Sequence, residues 1–106
     1  MHHSPARERL PDRRPAETFE FEVAGLRYTC SVGRFGDGRI GEIFLSNHKG
    51  NSTADTNARD AAIAFSFAVQ HGADPEKIRQ GLSRDSGGRA TGPLGWALDL
   101  LREDDL

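Results

Sequence analysis

Residues 36–45, GDGRIGEIFL, and residues 58–64, ARDAAIA, decide the fold of this chain. The first stretch begins with Gly-Asp-Gly, which allows the positive φ values of a tight hairpin, and continues into an apolar run typical of a strand. The second stretch follows a polar loop and starts a segment with apolar residues at helical spacing. A turn, a strand and a helix in this order predict an α+β domain.

The segment before this turn predicts two more strands. Apolar and polar residues alternate over residues 19–23, and the alternation resumes over residues 26–32 after Ala24 and Gly25. Alternation with a period of two on both sides of a glycine turn is typical of a β-hairpin. With residues 40–45 as the third strand, the sequence predicts a three-stranded antiparallel meander.

The third strand carries apolar residues on both faces. Ile43 and Leu45 alternate onto one face, and Ile40 and Phe44 onto the other. We therefore expect the C-terminal segment or a partner to cover part of the second face.

A long helix is predicted after the polar loop. Apolar residues recur on one side at helical spacing, namely Ala58, Ala61, Ala62, Phe65, Ala68 and Val69. Gly72 stands where such a helix is expected to end. Ile63 and Phe67 fall on the opposite side, so the helix is expected to pack against the sheet with one side and against later helices with the other.

Two shorter helices complete the predicted α+β fold. Asp74 suits the N-cap and Pro75 the first position of a helix that ends near Leu82. Gly92 and Pro93 open the last helix. The predicted order is therefore a meander, a long helix and two shorter helices.

The length of 106 residues suits one domain with one core. Residues 1–16 are rich in arginine and proline and show no periodicity, so they predict a disordered tail. Residues 17–102 are predicted to form the domain, and residues 103–106 an acidic, frayed end.

Composition excludes several classes of protein. The formal charge of -2, from 14 Lys plus Arg against 16 Asp plus Glu, argues against general attraction to nucleic acid. A single cysteine, Cys30, excludes an intramolecular disulfide, and no apolar run has the length of a membrane span, so the cytoplasm is the expected location. No group of side chains has the spacing of a metal site, and the glycines match no P-loop or dinucleotide motif.

Several local motifs together resemble one known family. Residues 38–45, 58–64, 71–72 and 92–95 resemble the TSCPD domain found toward the C-terminus of adenosylcobalamin-dependent ribonucleotide reductases, and the resemblance extends over residues 19–101. None of these motifs is catalytic. The resemblance implies a scaffold, namely a non-catalytic accessory module of ribonucleotide reduction.

The resemblance also implies which chemistry the chain lacks. Ribonucleotide reduction in that family uses a thiyl-radical cysteine and a pair of reducing cysteines, whereas this sequence holds only Cys30. We therefore predict no catalytic residue and no cofactor. A part in deoxyribonucleotide synthesis is expected to come from binding a reductase chain, a nucleotide or an electron donor. Cys30 alternates onto the face of Tyr28 and Val32, which favours a buried thiol over a reactive one.

Two polar surfaces are candidate anion sites. Lys49 and Arg59 belong to a loop and the helix that follows it, where backbone N–H groups at the helix start attract phosphate or carboxylate. Arg84 and Arg89 flank a glycine pair, and their guanidinium groups suit bidentate contacts with an anion. Ordinary surface loops are the alternative for both.

The last helix suggests a protein–protein contact. Its main apolar side is sufficient to dock it on the domain, while Trp96 and Leu100 lie one turn apart on a second side. An exposed tryptophan often anchors an interface. The alternative is that Trp96 packs onto the open face of strand three near Phe44.

Two other functional classes remain open. A nucleic-acid-binding module can use the arginine-rich arm and the loop of residues 47–59, although that loop has no stacking aromatic residues. A structural homo-oligomer can form through strand edges or spare apolar surfaces.

Overall fold

The computed structural model describes residues 6–12 and 16–104, which form a three-stranded antiparallel sheet followed by three helices. The elements are β1 (Ala16–Val23), β2 (Leu26–Arg34), β3 (Ile40–Asn47), α1 (Thr53–Gln70), α2 (Pro75–Gly81) and α3 (Pro93–Asp104). The strand order in the sheet is β1-β2-β3. The predicted α+β fold is confirmed.

Two tight turns connect the strands. Ala24 and Gly25 both have positive φ, 53° and 78°, as a two-residue hairpin turn requires. In the second turn Gly38 donates its N–H to the Phe35 carbonyl at 2.9 Å and has a φ of 94°. Of the Asp-Gly pair in this turn, only the glycine has positive φ.

The start of β3 differs from the prediction. The pairing between β2 and β3 shifts register between Gly33 and Arg34. Such an irregularity changes the alternation of faces along a strand. Ile40 is consequently half-buried and packs against the core, so the prediction that it shares the face of Phe44 is wrong.

The core lies between one face of the sheet and the helices. Phe21, Val23, Tyr28, Cys30, Val32, Ile43 and Leu45 come from the strands, and Ala58, Ala62, Phe65, Val69, Leu94, Ala97, Leu98 and Leu101 come from α1 and α3. The small side chains Ala58, Ala62 and Ala97 are at most 1% exposed, so the helices approach their neighbours closely.

Helix α1 lies along the outer edge of β3 and satisfies its backbone. Ser66 Oγ accepts the N–H of Ile43 at 2.9 Å. Gln70 donates its side-chain amide to the Gly41 carbonyl at 2.9 Å, and Asp55 accepts the N–H of Asn47 at 2.9 Å. Three side chains of a helix thus take the place that a fourth strand would occupy.

The far side of α1 is open, which corrects another prediction. Ile63 and Phe67 were expected to pack against later helices, but they are 53% and 50% exposed. Phe44, on the outer face of β3, is 58% exposed. The reason is that α3 joins the core on the inner face of the sheet, so neither it nor α2 covers these side chains.

Part of the predicted disordered tail contacts the domain. Glu8 donates its N–H to the Gln70 carbonyl at 2.6 Å, and its carboxylate pairs with Arg39 at 2.7 Å. The Arg7 guanidinium lies 4.9 Å from the centre of the Phe67 ring. Residues 1–5 and 13–15 lie outside the described residues, as do 105–106 of the predicted acidic end. The predicted domain boundaries stay predictions.

Candidate functional site

The first predicted anion surface is occupied by the protein's own carboxylate. Asp55, in the first turn of α1, is 5% exposed and accepts the Arg59 Nε–H at 2.9 Å. The hydrogen bonds from Arg59 and from the Asn47 N–H lower the pKa of Asp55. Lys49 is exposed, and its backbone N–H donates to the Asn47 side chain at 2.9 Å. Anion binding at Lys49 and Arg59 therefore has a competitor in place, and it stays a prediction.

The second predicted surface divides into two parts. Arg84 makes a bidentate contact with Asp99, both distances being 2.8 Å. Arg79 also donates to Asp99 at 2.8 Å and binds Glu76 at 2.6 Å, so these four residues form an ion-pair cluster between α2 and α3. Hydrogen bonds from Arg84 and then Arg79 lower the pKa of Asp99 to about 2. Arg84 thus has a structural role that the sequence did not indicate.

Arg89 belongs to a different environment. Its backbone N–H donates to the Asp85 carboxylate at 3.0 Å, which fixes the loop, and its side chain is exposed. It lines a cavity of about 270 Å³ together with Gly88, Ala90, Trp96, Asp99 and Leu100. The structure therefore brings the predicted anion residue Arg89 together with the predicted interface residues Trp96 and Leu100. We call this surface the α3 groove.

Trp96 is half-buried and packs against the hydrophobic core, as does Leu100. The alternative position for Trp96, beside Phe44 on the open sheet face, is wrong, because Phe44 lies on the outer face and α3 packs on the inner one. An interface role for Trp96 stays a prediction.

The exposed apolar surface that the sequence interpretation missed consists of Phe44, Ile63 and Phe67, which we call the outer apolar patch. A cavity of about 210 Å³ is lined by all three side chains, with Arg7 at its rim. Ile63 and Phe67 are spaced i, i+4 on α1, which places them side by side. The signal for the patch was present in the sequence as a second apolar side of α1, but that side was assigned to the core.

A further cavity lies where α1 and α3 begin, and no charged residue lines it among those that the structure describes. Its volume is about 370 Å³, and it is lined by Tyr28, Ala54, Asn57, Ala61, Leu82, Ser83, Thr91, Gly92, Pro93, Leu94 and Gly95. We call it the Tyr28 cavity. The signal for it in the sequence was the start of α3 at Gly92 and Pro93, which supply neither a capping side chain nor, at proline, an N–H group.

The described part of the chain holds neither an exposed thiol nor a group of side chains that can bind a metal ion. Cys30 is fully buried, and burial raises the pKa of its thiol to about 12. Over residues 6–12 and 16–104, no three His, Cys, Asp or Glu side chains form a group that can hold a metal ion. None of the described helices has the length and apolar character needed to cross a membrane.

Sequence comparison finds similarity to vitamin B12-dependent ribonucleotide reductases. The chain is 41% identical over 71 residues to the vitamin B12-dependent ribonucleotide reductase of Agrobacterium fabrum, which covers 67% of this chain and 6% of the reductase. It is 40% identical over 76 residues to that of Rhodopirellula baltica, covering 72% of this chain and 7% of the reductase. It is 38% identical over 66 residues to the vitamin B12-dependent ribonucleotide reductase of Bradyrhizobium diazoefficiens, and the match covers 62% of this chain and 5% of that reductase.

The chain therefore spans less than a tenth of the length of these relatives and is similar to one small region of them. No protein-family model matches the chain, and no solved structure matches it significantly.

Proposed function

We propose that this chain is a TSCPD-like, non-catalytic accessory module that acts in deoxyribonucleotide synthesis by binding a ribonucleotide reductase chain. The observation that carries the proposal is the similarity to a small region of vitamin B12-dependent ribonucleotide reductases. In those proteins this region belongs to a chain more than ten times longer than the matched segment. A domain of this kind has neighbours to pack against, and we infer that it keeps a surface for them.

The non-catalytic role is supported by the state of Cys30. A reaction that uses several reactive thiols needs exposed cysteines of low pKa. Cys30 is the only cysteine of the sequence, is buried, and has a thiol pKa raised to about 12. We expect purified protein to show no turnover of ribonucleotides with adenosylcobalamin and a thiol donor, measured against a control without protein.

The α3 groove is the surface that we assign to the reductase. Tryptophan and arginine are frequent anchors of protein interfaces, and Trp96 and Arg89 line this groove together with Leu100. Trp96 and Leu100 are half-buried, so the groove is already ordered before a partner binds. A partner segment with an apolar side chain next to a carboxylate fits this chemistry.

Association of copies of this chain is the second candidate function, and the outer apolar patch favours it. Phe44, Ile63 and Phe67 are each at least half exposed and line one cavity. Contiguous apolar surface of this kind is typical of interaction sites. The patch and the α3 groove share no lining residue, so variants can address them separately.

The test measures two associations with the same variants. The protein is mixed with purified vitamin B12-dependent reductase from the same organism, and binding is followed by calorimetry, while sedimentation reports self-association. We expect Leu100→Ala to weaken binding to the reductase and Ile63→Ser to reduce self-association. Leu26→Ala serves as the matched control, because Leu26 is 41% exposed and lies outside both surfaces. Reductase binding that is absent, or unchanged by Leu100→Ala, contradicts the proposed contact.

A further inference from the structure

The Tyr28 cavity combines an uncharged wall with hydrogen-bond donors at the start of a helix. Trp96 is the first residue of α3 that donates its backbone N–H within the fold, to the Gly92 carbonyl at 3.1 Å. Leu94 and Gly95 precede it and line the cavity. Over residues 6–12 and 16–104, the N–H of neither residue donates a hydrogen bond. Gly92 has no side chain to cap them, so two donors stay available at the positive end of α3.

The Tyr28 hydroxyl is a second, independent feature of the cavity. Tyr28 is only 4% exposed, and its ring stacks on Phe21 with the ring centres 5.8 Å apart. Within the described residues the hydroxyl has no hydrogen-bond partner, although every fully enclosed side-chain oxygen or nitrogen there does have one. The hydroxyl is therefore not fully enclosed, and Tyr28 is one of the residues that line the cavity. A hydroxyl that has no protein partner is free to donate to a ligand oxygen in the cavity.

The start of α1 shows what an occupied helix N-terminus looks like in this protein. There the Ser52 hydroxyl accepts the N–H of Asp55 at 3.1 Å, and Asp55 places a carboxylate in the first turn. At the start of α3, and among the residues that the structure describes, no carboxylate lines the cavity and no side chain accepts an N–H of the first turn. The contrast favours a negatively charged ligand at α3 and not at α1.

We propose that the Tyr28 cavity binds a small phosphate monoester. The phosphate oxygens accept from the N–H groups of Leu94 and Gly95 and from the Tyr28 hydroxyl. The uncharged body of the ligand lies against Ala61 and Leu82, whose side chains line the apolar wall. A volume of about 370 Å³ is in the range of small-molecule sites. A nucleoside monophosphate and a sugar phosphate share this chemistry, and the experiment separates them.

The experiment titrates ¹⁵N-labelled protein with inorganic phosphate, a nucleoside monophosphate, ribose 5-phosphate and the uncharged nucleoside, each at physiological salt. We expect both esters to shift the amide signals of Leu94 and Gly95, and one ester to bind more tightly than phosphate alone. Tyr28→Phe keeps the ring and removes the hydroxyl, and it is expected to weaken binding about threefold to tenfold. Equal binding of phosphate and both esters contradicts the placement of the ligand body in the cavity.

Gly92→Asp is the decisive variant. A β-carbon at Gly92 meets no atom within 4 Å, and the residue before a proline favours the extended conformation of an N-cap. The new carboxylate is expected to accept from the first turn of α3, which raises the melting temperature and abolishes binding of the ester. Gly36→Asp is the matched control, since it adds the same charge at the distant β2–β3 turn, where a β-carbon also meets no atom.

Ester binding by Gly92→Asp equal to that of the wild type overturns the proposal, and so do shifts confined to Lys49, Arg59 and Arg89. The proposal does not depend on the proposed reductase contact. Reductase binding is measured with Gly92→Asp in parallel, and it is expected to be unchanged. If the wild-type protein binds the reductase but no ester, only the Tyr28 cavity proposal fails. If it binds the ester but not the reductase, only the proposed reductase contact fails.

Discussion

Two polar regions along α3 differ in whether the hydrogen-bond donors found there have partners. In the middle of the helix Asp99 accepts from Arg79 and Arg84, so a region with two arginines has its guanidinium groups engaged. At the start of the helix the Tyr28 cavity has no charged residue among those described, yet the N–H groups of Leu94 and Gly95 have no partner there. From this difference we expect available hydrogen-bond donors, and not the number of arginines, to decide where the protein binds an anion.

The largest expected effect comes from removing the carboxylate of the ion-pair cluster. Asp99→Ala leaves Arg79 and Arg84 half-buried without their shared partner, so we expect the free energy of unfolding to fall by about 2 to 3 kcal/mol. Urea unfolding measures the change. Asp60→Ala, at an exposed position of α1, is the control and is expected to change stability by less than about 0.5 kcal/mol.

The same variant sharpens the comparison with the Tyr28 cavity. Once Asp99 is absent, the guanidinium group of Arg84 has lost its bidentate partner. Inorganic phosphate is then expected to shift the Arg84 side-chain signals in Asp99→Ala and not in the wild type. Equal shifts in both proteins would mean that the cluster is open to anions even with its carboxylate in place, which breaks the comparison.

A somewhat smaller effect is expected from acid. The pKa of Asp99 is lowered to about 2 in the folded protein, against about 4 in an unfolded chain. The resulting stability is present above pH 4 and is lost as pH falls toward 2, and it amounts to roughly 2 kcal/mol. Thermal unfolding from pH 7 to pH 2 measures it. Asp99→Asn is expected to flatten the pH dependence in part, because Glu76 also has a pKa lowered to about 2.

Trp96→Ala is expected to have a moderate effect. Its side chain is half-buried against the core, so truncation should cost about 1 to 2 kcal/mol, less than the 3 to 5 kcal/mol of a fully buried tryptophan. Denaturant unfolding checks this value. A loss of about 3 to 5 kcal/mol in the free energy of unfolding would mean that Trp96 serves only the core. A loss of about 1 to 2 kcal/mol together with weaker reductase binding supports a contact at the α3 groove.

The smallest effect on stability is expected for Arg89→Ala. The side chain is exposed, and its backbone contacts with Asp85 do not depend on it, so stability should change by less than about 0.5 kcal/mol. Binding to the reductase is expected to weaken and to lose part of its salt dependence. A large loss of stability would show that the Arg89 side chain, like that of Arg84, stabilises the folded protein.

Local patterns predicted the fold well. Alternation over residues 19–23 and 26–32 and the helical spacing from Ala58 to Val69 each reflect one buried face, and the structure buries those faces. The position of Ile40 was not predictable, because a register shift depends on pairing with another strand. The open side of α1 was not predictable either, since the path of α3 decides which helix faces are covered.

The candidate sites could be predicted from the sequence less well than the fold. An arginine in a loop, such as Arg84, suggests an anion contact, but its pairing with Asp99, fifteen residues away, depends on how the loop packs on α3. The Tyr28 cavity depends on four segments that are distant in the sequence, around residues 28, 54–61, 82–83 and 91–95. Two of its three proposed donors are backbone N–H groups, and the sequence does not show which backbone groups are left without a partner.

The helix that lies along β3 also limits how copies of this protein can aggregate. An open-ended fibre built by strand addition needs two free sheet edges on every copy. Ser66, Gln70 and Asp55 engage backbone groups of Gly41, Ile43 and Asn47 along the β3 edge, which leaves β1 as the less protected edge of the described sheet. If copies pair through β1, we therefore expect strand addition to end with two copies and one six-stranded sheet.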